Sequence, residues 1–319
     1  MLSNMFLTVS QPKQSQISFQ MDTTRGNVLN FFLQAITLLR EQGRISSANH
    51  YVQTMHSLQT YQGHDNLCFT DITSSFIIGY EAWMKTRRLC RNTTSFYMRT
   101  LRAVYNQAVR EGLTADVQPF RGVYTGIDKT SKRALDLADL KRIKSLDLSH
   151  NPRLDFARDL FLLAFYLRGI SFIDLAFLRK SDLQNGYITY CRRKTSRPLS
   201  IRWEAEMQQL LDKHPVSQTG YLLPIIKEEN GSEYKQYRNQ AQSINRQLKE
   251  IAKLLQLSMP LTMYVARHSW ASIARSQDIP IAVISEAMGH DSEQTTQIYL
   301  NSILIDRIDE ANSSILHLL

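Results

Sequence analysis

The sequence predicts a mainly α-helical chain of two domains. The first is small and all-helical, and the second is a larger mixed α/β domain with a small β-hairpin. Three observations lead there. Four apolar stripes at helical spacing follow one another between residues 25 and 112. A stretch with Pro119, Gly122 and Gly126 and no periodicity, residues 113–132, separates them from the rest and reads as a linker. Beyond it helical patterns predominate, and the segment GYITYCRRKTSRPLSI alternates and turns as a strand pair does.

Taken in order, residues 1–24 read as a polar leader with a short extended segment from Ile17 to Phe19. The first helix begins near Asn27, with Leu29, Phe32, Ile36 and Leu39 on one face. A second runs from about Ser47 and aligns Tyr51, Met55, Leu58 and Tyr61. A third, capped by Thr70 or Asp71, carries Phe76, Ile77, Tyr80 and Met84. The fourth starts after Asn92, holds Tyr97, Leu101, Val104 and Ala108, and stops at Gly112. In the second domain, residues 133–319, helices are expected over 135–146 and 156–177, the latter broken near Gly169. A hairpin over 187–201 follows, then helices over 204–212, 237–256, 266–276 and 281–288. The stretch after His290 is too rich in Gln and Thr for a core helix. A last helix over 302–315 presents Leu304, Ile308, Ala311 and Ile315 in one stripe, suited to docking on a neighbouring subunit or on its own domain.

At 319 residues and 36.9 kDa the chain accommodates two domains. Lys and Arg number 38 against 29 Asp and Glu, a net charge of +9. Residues 1–120 carry 11 basic and 7 acidic groups, the remainder 27 and 22, so both parts are basic and a polyanion can touch both. The densest run, KTRRLCRNTTSFYMRTLR, gathers Lys85, Arg87, Arg88, Arg91, Arg99 and Arg102 with almost no acid between them. It suits a phosphate backbone, and a solvated helix face is the plainer alternative. Cys68, Cys90 and Cys191 are far apart and form no CxxC, which supports neither a zinc knuckle nor a disulfide scaffold and points to a reducing, cytoplasmic location. The N-terminus lacks the basic start and apolar core of a signal peptide. Arg168 and Asp174 interrupt the longest apolar helix, so a membrane span is not expected.

The residues that suggest chemistry lie in the second domain. Arg267 and His268 open the helix ARHSWASIARSQ, His290 follows Gly289, Lys194 sits in the hairpin, and Tyr299 comes nine positions after His290. Each alone has an ordinary reading: an ion-paired arginine, a capping histidine, a solvated lysine, one of 14 tyrosines. Together they answer one need. Displacing an alkoxide from a phosphodiester requires positive donors around the nonbridging oxygens, where charge builds. It requires a proton for the leaving 5′ oxygen, which Lys194 can supply. A tyrosine, with its pKa of about 10, needs cationic or basic neighbours to act as the nucleophile.

YVARHSWAS and AMGHDSEQTTQIYL resemble the C-terminal signature of the tyrosine recombinase, or phage integrase, family. That pattern is His-x-x-Arg-His, then Leu-Gly-His, then a tyrosine nine residues on. By this resemblance Arg267 matches the second catalytic arginine, His290 the late histidine, Tyr299 the nucleophile and Lys194 the catalytic lysine. The four-helix unit is similar to the family's helical core-binding (SAM-like) domain, and residues 133–319 to its catalytic domain.

Two positions depart from the pattern. Tyr264 stands three residues before Arg267 where the family has His; it can donate a hydrogen bond to a phosphate but cannot carry a proton as imidazolium does. The family's first arginine stands in Gly-Leu-Arg-x-x-Glu-Leu, and the matching GISFIDL has Ser171 at the arginine position. Arg168, expected on the same helix about one turn earlier, is the candidate substitute, its stem covering a helix rise of roughly 4.5 Å. A structural ion pair for Arg168 and a degraded site are the alternatives. YLRGISFIDLAFLRKSDL also resembles recombinases of Bacteroides-type bacteria, where this serine is familiar. The resemblance makes Asp174 a carboxylate that positions Arg267 or its neighbours, not a metal ligand. His268 reads as a buried structural donor, with a direct part in the chemistry as the alternative.

The family implies a site-specific recombinase that cleaves and rejoins double-stranded DNA through a 3′-phosphotyrosyl bond, with no cofactor and no metal. It implies specific recombination sites, a homotetramer in the synaptic complex, a monomer when free, and scope for an accessory DNA-bending protein. A cytoplasmic, nucleoid-associated protein of a mobile element or a DNA-inversion system fits that role. The rivals are a type IB topoisomerase, a DNA-binding protein that has lost catalysis, and a helix-turn-helix regulator, which would leave Lys194 and Tyr299 without purpose.

Overall fold

The computed structural model describes residues 26–128 and 133–300, the last three as helix without their side chains. The chain divides into two compact units at Lys129/Thr130, and the described residues are mainly helical, with one small sheet among them in the second unit. The leader at 1–24 and the helix expected at 302–315 lie outside the described residues.

Among the described residues of the first unit there are four α-helices: α1 (Val28–Glu41), α2 (Ile45–Gln62), α3 (Ser74–Thr86) and α4 (Arg91–Arg110). Asn27 caps α1 by accepting from Asn30 N at 3.0 Å. The cap of α3 is Thr73, which accepts from Phe76 N at 3.2 Å, and not Thr70 or Asp71. Those two fall in a 3-10 turn, where the Asp71 carboxylate accepts from Cys68 N instead. The apolar stripes meet in one core of Phe32, Leu58, Ile77, Tyr80, Met98, Leu101 and Val104, and Tyr80 places its hydroxyl on Ser57.

The expected linker is structured over most of its length. Tyr105 donates to Ala115 O at 2.8 Å and accepts from Val117 N, and Phe120 is buried against it. Ser95 donates to Gly126 O, and Asn92 brackets the backbone of Asp128 from both sides. Satisfied backbone groups and a buried ring tie residues 113–128 to α4, which the Pro and Gly content concealed.

In the second unit, α6 (Pro152–Tyr166) is buried along most of its length and packs against α9 (Glu233–Leu254) and α10 (Met263–Ser276). Around these stand α5 (Leu137–Ser145), α7 (Phe172–Ala176) and α8 (Ala205–Asp212). Each fully buried Leu or Phe of α6 contributes about 1.5–3 kcal/mol. The helix expected over 156–177 is two helices: α6 ends at Tyr166, Arg168 and Gly169 take φ of +57° and +70°, and α7 starts at Phe172. The hairpin is the larger part of an antiparallel sheet, β1 (Leu183–Gln184), β2 (Tyr187–Cys191) and β3 (Pro198–Arg202), with Ile188 opposite Ile201 and Tyr190 opposite Leu199. Finally α11 (Ile281–Ala287) packs on α10 through Ile284 and Met288, and α12 (Glu293–Leu300) follows. The Gln- and Thr-rich stretch is thus helical. Thr296 is fully buried on it, because its hydroxyl has a polar partner inside.

An ionic cluster locks α6 to the segment after α8. Arg158 bonds Asp155, Asp159 and Leu146 O, while Lys213 lies 2.6 Å from Asp155 and 3.0 Å from Asp159. His214 adds a 2.8 Å contact to Asp159. Burial would raise the Asp159 carboxyl, but its bonds to His214, Arg158 and Lys213 outweigh that and hold it below the usual carboxylate range. Asp155, Asp159 and His214 are close enough to hold an ion, but Arg158 and Lys213 already balance the two carboxylates.

Candidate active site

Two arginines and two glycines organise the site. Arg267, buried on α10, donates from Nη1 to Gly169 O and from Nη2 to Met288 O, both at 2.7 Å. Its Nη2 also lies 3.0 Å from His290 Nε2. A Cβ built on Gly169 would stand 2.6 Å from Arg267 Cα, so only glycine allows α10 to approach the turn after α6 this closely. Arg192, the residue after β2, donates from Nη1 to Gly289 O and turns Nε toward Asp174 Oδ2 at 3.9 Å. A Cβ on Gly289 would meet Arg192 Cδ at 2.7 Å. Both glycines take positive φ, +70° and +63°, which also favours their type.

Asp174 is the fixed negative charge beside this pair. It accepts from Ser171 Oγ at 2.6 Å and from Arg193 N at 2.9 Å. Of the expected partners, Arg267 or its neighbours, it therefore positions Arg192 and the hairpin, while Arg267 among the described residues turns to Gly169 O, Met288 O and His290 Nε2. Ser171 caps α7, accepting from Asp174 N, so this hydroxyl serves a helix terminus. Arg168 is not a helix turn before Ser171 on one face, as expected, because the left-handed turn separates the two. It lines a cleft of about 260 Å³ with Arg197, Ser200, Val283 and Glu286.

His290 is buried and neutral. Burial first, then the positive charges of Arg267, Arg192, Lys194 and Arg197, push its pKa down to about 4. A guanidinium can only donate, so Nε2 is the acceptor from Arg267, and the proton resides on Nδ1, 2.8 Å from Thr296 Oγ1. Arg197 donates to His290 O and fixes the backbone. Lys194 is exposed in the hairpin turn, close enough for its charge to act on the imidazole. Tyr264, 55% exposed, stands edge-on to the buried His268 with ring centroids 4.5 Å apart. Tyr299 is on α12, one turn after Thr296, and its side chain lies outside the described residues. Tyr190 is also near these charges, but burial, and then Asp174, raise its pKa, which disfavours it as a nucleophile.

The structure thus brings together Arg267, His290, Lys194, Asp174 and Ser171, with Tyr264 and His268 on the same helix as Arg267. Sequence reasoning missed Arg192 and Thr296. Arg192 had a readable signal: Ile188, Tyr190 and Arg192 are the buried positions of one strand alternation, so its side chain follows two core residues inward.

On the helical unit, the basic run is less free than its composition suggests. Lys85 pairs with Glu81 at 2.7 Å. Arg91 pairs with Asp128 at 3.3 Å and stacks on Tyr124. Arg87 lies over Trp83, and Arg102 donates to Thr125 Oγ1. Arg88 and Arg99 have no ion pair among the described residues.

Residues 27–122 match the family model of the phage integrase SAM-like domain, and residues 143–303 that of the phage integrase family. The tyrosine recombinase XerD of Oceanobacillus iheyensis is 23% identical over 251 residues, 76% of this chain and 82% of that one. Among solved structures, a lambda integrase dimer bound to a COC' core site shares the fold with a TM-score of 0.64 at 17% identity, covering 86% of this chain and 77% of that one. The Tn1549 transposon integrase, in complex with transposon right end DNA, gives 0.61 at 16% identity over 86% of this chain and 94% of that one. Since the second family model spans half of the sequence and takes in the arginine, the histidine and the tyrosine-bearing helix described above, the chain belongs to the phage integrase family of tyrosine recombinases.

Proposed function

We propose that the chain is a site-specific DNA recombinase that cuts and rejoins double-stranded DNA through a 3′-phosphotyrosyl intermediate. The observation that carries this reading is the buried run Arg267–His290–Thr296, which joins a phosphate-binding guanidinium and an imidazole to the helix of Tyr299. As the Tyr299 oxygen attacks the scissile phosphorus its phenol proton passes to water, and the bond to the 5′ oxygen breaks. Lys194 protonates that oxygen as it leaves. Arg267 and Arg192 hold the nonbridging oxygens, where charge develops. The released 5′ hydroxyl of another strand then attacks the phosphotyrosine, conserving the ester without ATP, cofactor or metal.

Arg192 fills the role vacated at Ser171. It is buried, bonded to the backbone beside His290, and faces a carboxylate that fixes its orientation, and among the described residues its Nη2 has no protein partner. Arg168 lines a neighbouring cleft and contributes charge from its edge. Tyr264 supplies a further phosphate hydrogen bond, while Asp174 and His268 support the site. Ser171, spent as a helix cap, is the observation that favours a DNA-binding protein without catalysis.

The remainder of the reading concerns assembly and setting. Lys85, Arg87, Arg88, Arg91, Arg99 and Arg102 hold the DNA backbone, and four protomers join two sites, with the segment after Leu300 docking on a neighbour. The protein works on the nucleoid in the cytoplasm, in integration, excision or inversion. Incubation with nicked suicide duplexes drawn from the DNA flanking its gene tests this. A covalent protein–DNA adduct, followed by exchange that requires paired sites, is expected. Adduct formation with relaxation of any plasmid would instead indicate a topoisomerase, and absence of adduct a binding protein.

A further inference from the structure

Thr296 is fully buried, and its hydroxyl lies 2.8 Å from Nδ1 of the His290 imidazole. With Arg267 on Nε2, His290 carries its proton on Nδ1 and Thr296 accepts it. In that tautomer Nε2 has no hydrogen to offer a phosphate oxygen. A threonine hydroxyl differs from a carboxylate or a carbonyl in this place because it accepts or donates by rotation alone.

We propose that Thr296 is a positioning residue for strand cleavage, whose hydroxyl sets the tautomer of His290: Nδ1–H while Arg267 holds Nε2, and Nε2–H once a phosphate oxygen draws Arg267 away. The inference rests on the DNA-cleaving function proposed above. In the exchange, the Nδ1 proton passes to water, water returns one to Nε2, and the Thr296 hydroxyl turns to donate to Nδ1. Charge is unchanged, and the imidazole becomes a donor to the phosphate. Thr296 precedes Tyr299 by three residues on α12, so the bond that sets the tautomer also seats the nucleophile's helix one turn from the imidazole. A valine would fill the same volume without either function.

The test is ring-nitrogen NMR of histidine-labelled full-length protein, paired with single-turnover cleavage of a nicked duplex. Without DNA, His290 is expected to be protonated on Nδ1, and with a Tyr299→Phe protein bound to that duplex, on Nε2. Thr296→Val is expected to slow adduct formation by about 10- to 100-fold, the worth of one charge-assisted hydrogen bond, while Thr296→Ser stays within about threefold, as one hydroxyl for another should. Nε2 protonation in the free protein, an unchanged rate in Thr296→Val, or equal losses in the Val and Ser variants would overturn the proposal. If the valine variant fails to fold, the free-protein tautomer and the serine variant still decide it. Failure of the wild-type protein to form any adduct would instead count against the recombinase function, which separates the two claims.

Discussion

Arg192 donates to the carbonyl of Gly289, the residue immediately before His290, while its Nε faces Asp174. A guanidinium is therefore held next to the imidazole by the hairpin, one residue past β2, rather than at the Ser171 position where the family pattern has its first arginine. The backbone carbonyl and the carboxylate offset part of the cost of burying it.

Arg192→Ala is expected to reduce adduct formation by about two orders of magnitude, following the loss of about 1.5–3 kcal/mol or somewhat more for a charge-assisted contact in the transition state. Arg168→Ala should cost only a few-fold. Single-turnover cleavage of one nicked duplex by both variants measures this, and the reverse order would return the role to Arg168.

Gly169→Ala should be destabilising although it adds one methyl. Its φ of +70° costs an L-residue about 1–2 kcal/mol. The new Cβ would also press on Arg267 Cα, a backbone atom that cannot swing away. A lowered thermal midpoint and a cleavage loss like that of Arg267→Ala are expected, whereas Gly186→Ala, with nothing near its would-be Cβ, should leave cleavage intact.

Acid should weaken the catalytic unit through His290. Its folded pKa of about 4 lies below the ordinary value of 6.5. As pH falls the unfolded chain therefore binds a proton first. The stability is complete above about 6.5 and is lost as pH falls toward 4. Asp159, held below the usual range, acts in the same direction at lower pH. Denaturant titrations from pH 7 to 4 should show the fall, with a shallower slope in His290→Gln.

Arg88 and Arg99, without ion pairs among the described residues, should contribute more to DNA affinity than Lys85 and Arg91, which have carboxylates beside them. Arg88→Gln and Arg99→Gln should each lower the slope of log affinity against log salt by about one. Lys85→Gln should change it less. Binding isotherms at several salt concentrations read the difference.

The helices were legible because their apolar stripes are regular, and Arg267, His290 and Lys194 because they stand in a spaced pattern. Other features depended on contacts between distant segments. Residues 113–128 carry turn residues yet are fixed by Tyr105, Phe120 and Asn92. The α12 helix looked too polar for a core because the partner of Thr296 is an imidazole six positions away. Arg168 appeared to share a helix with Ser171, but the left-handed turn at Arg168 and Gly169 makes room for Arg267. Sequence marks Asp174 as a carboxylate that positions Arg267 or its neighbours, but which of them it faces depends on the backbone acceptors around Arg267, which leave no mark in sequence.

Mapping the covalent adduct tests the central claim most directly. Protein trapped on a nicked duplex, digested with protease and nuclease and sequenced by mass spectrometry, should yield one peptide carrying a nucleotide on Tyr299. A nucleotide recovered on any other side chain, or an adduct that persists in Tyr299→Phe, would contradict it.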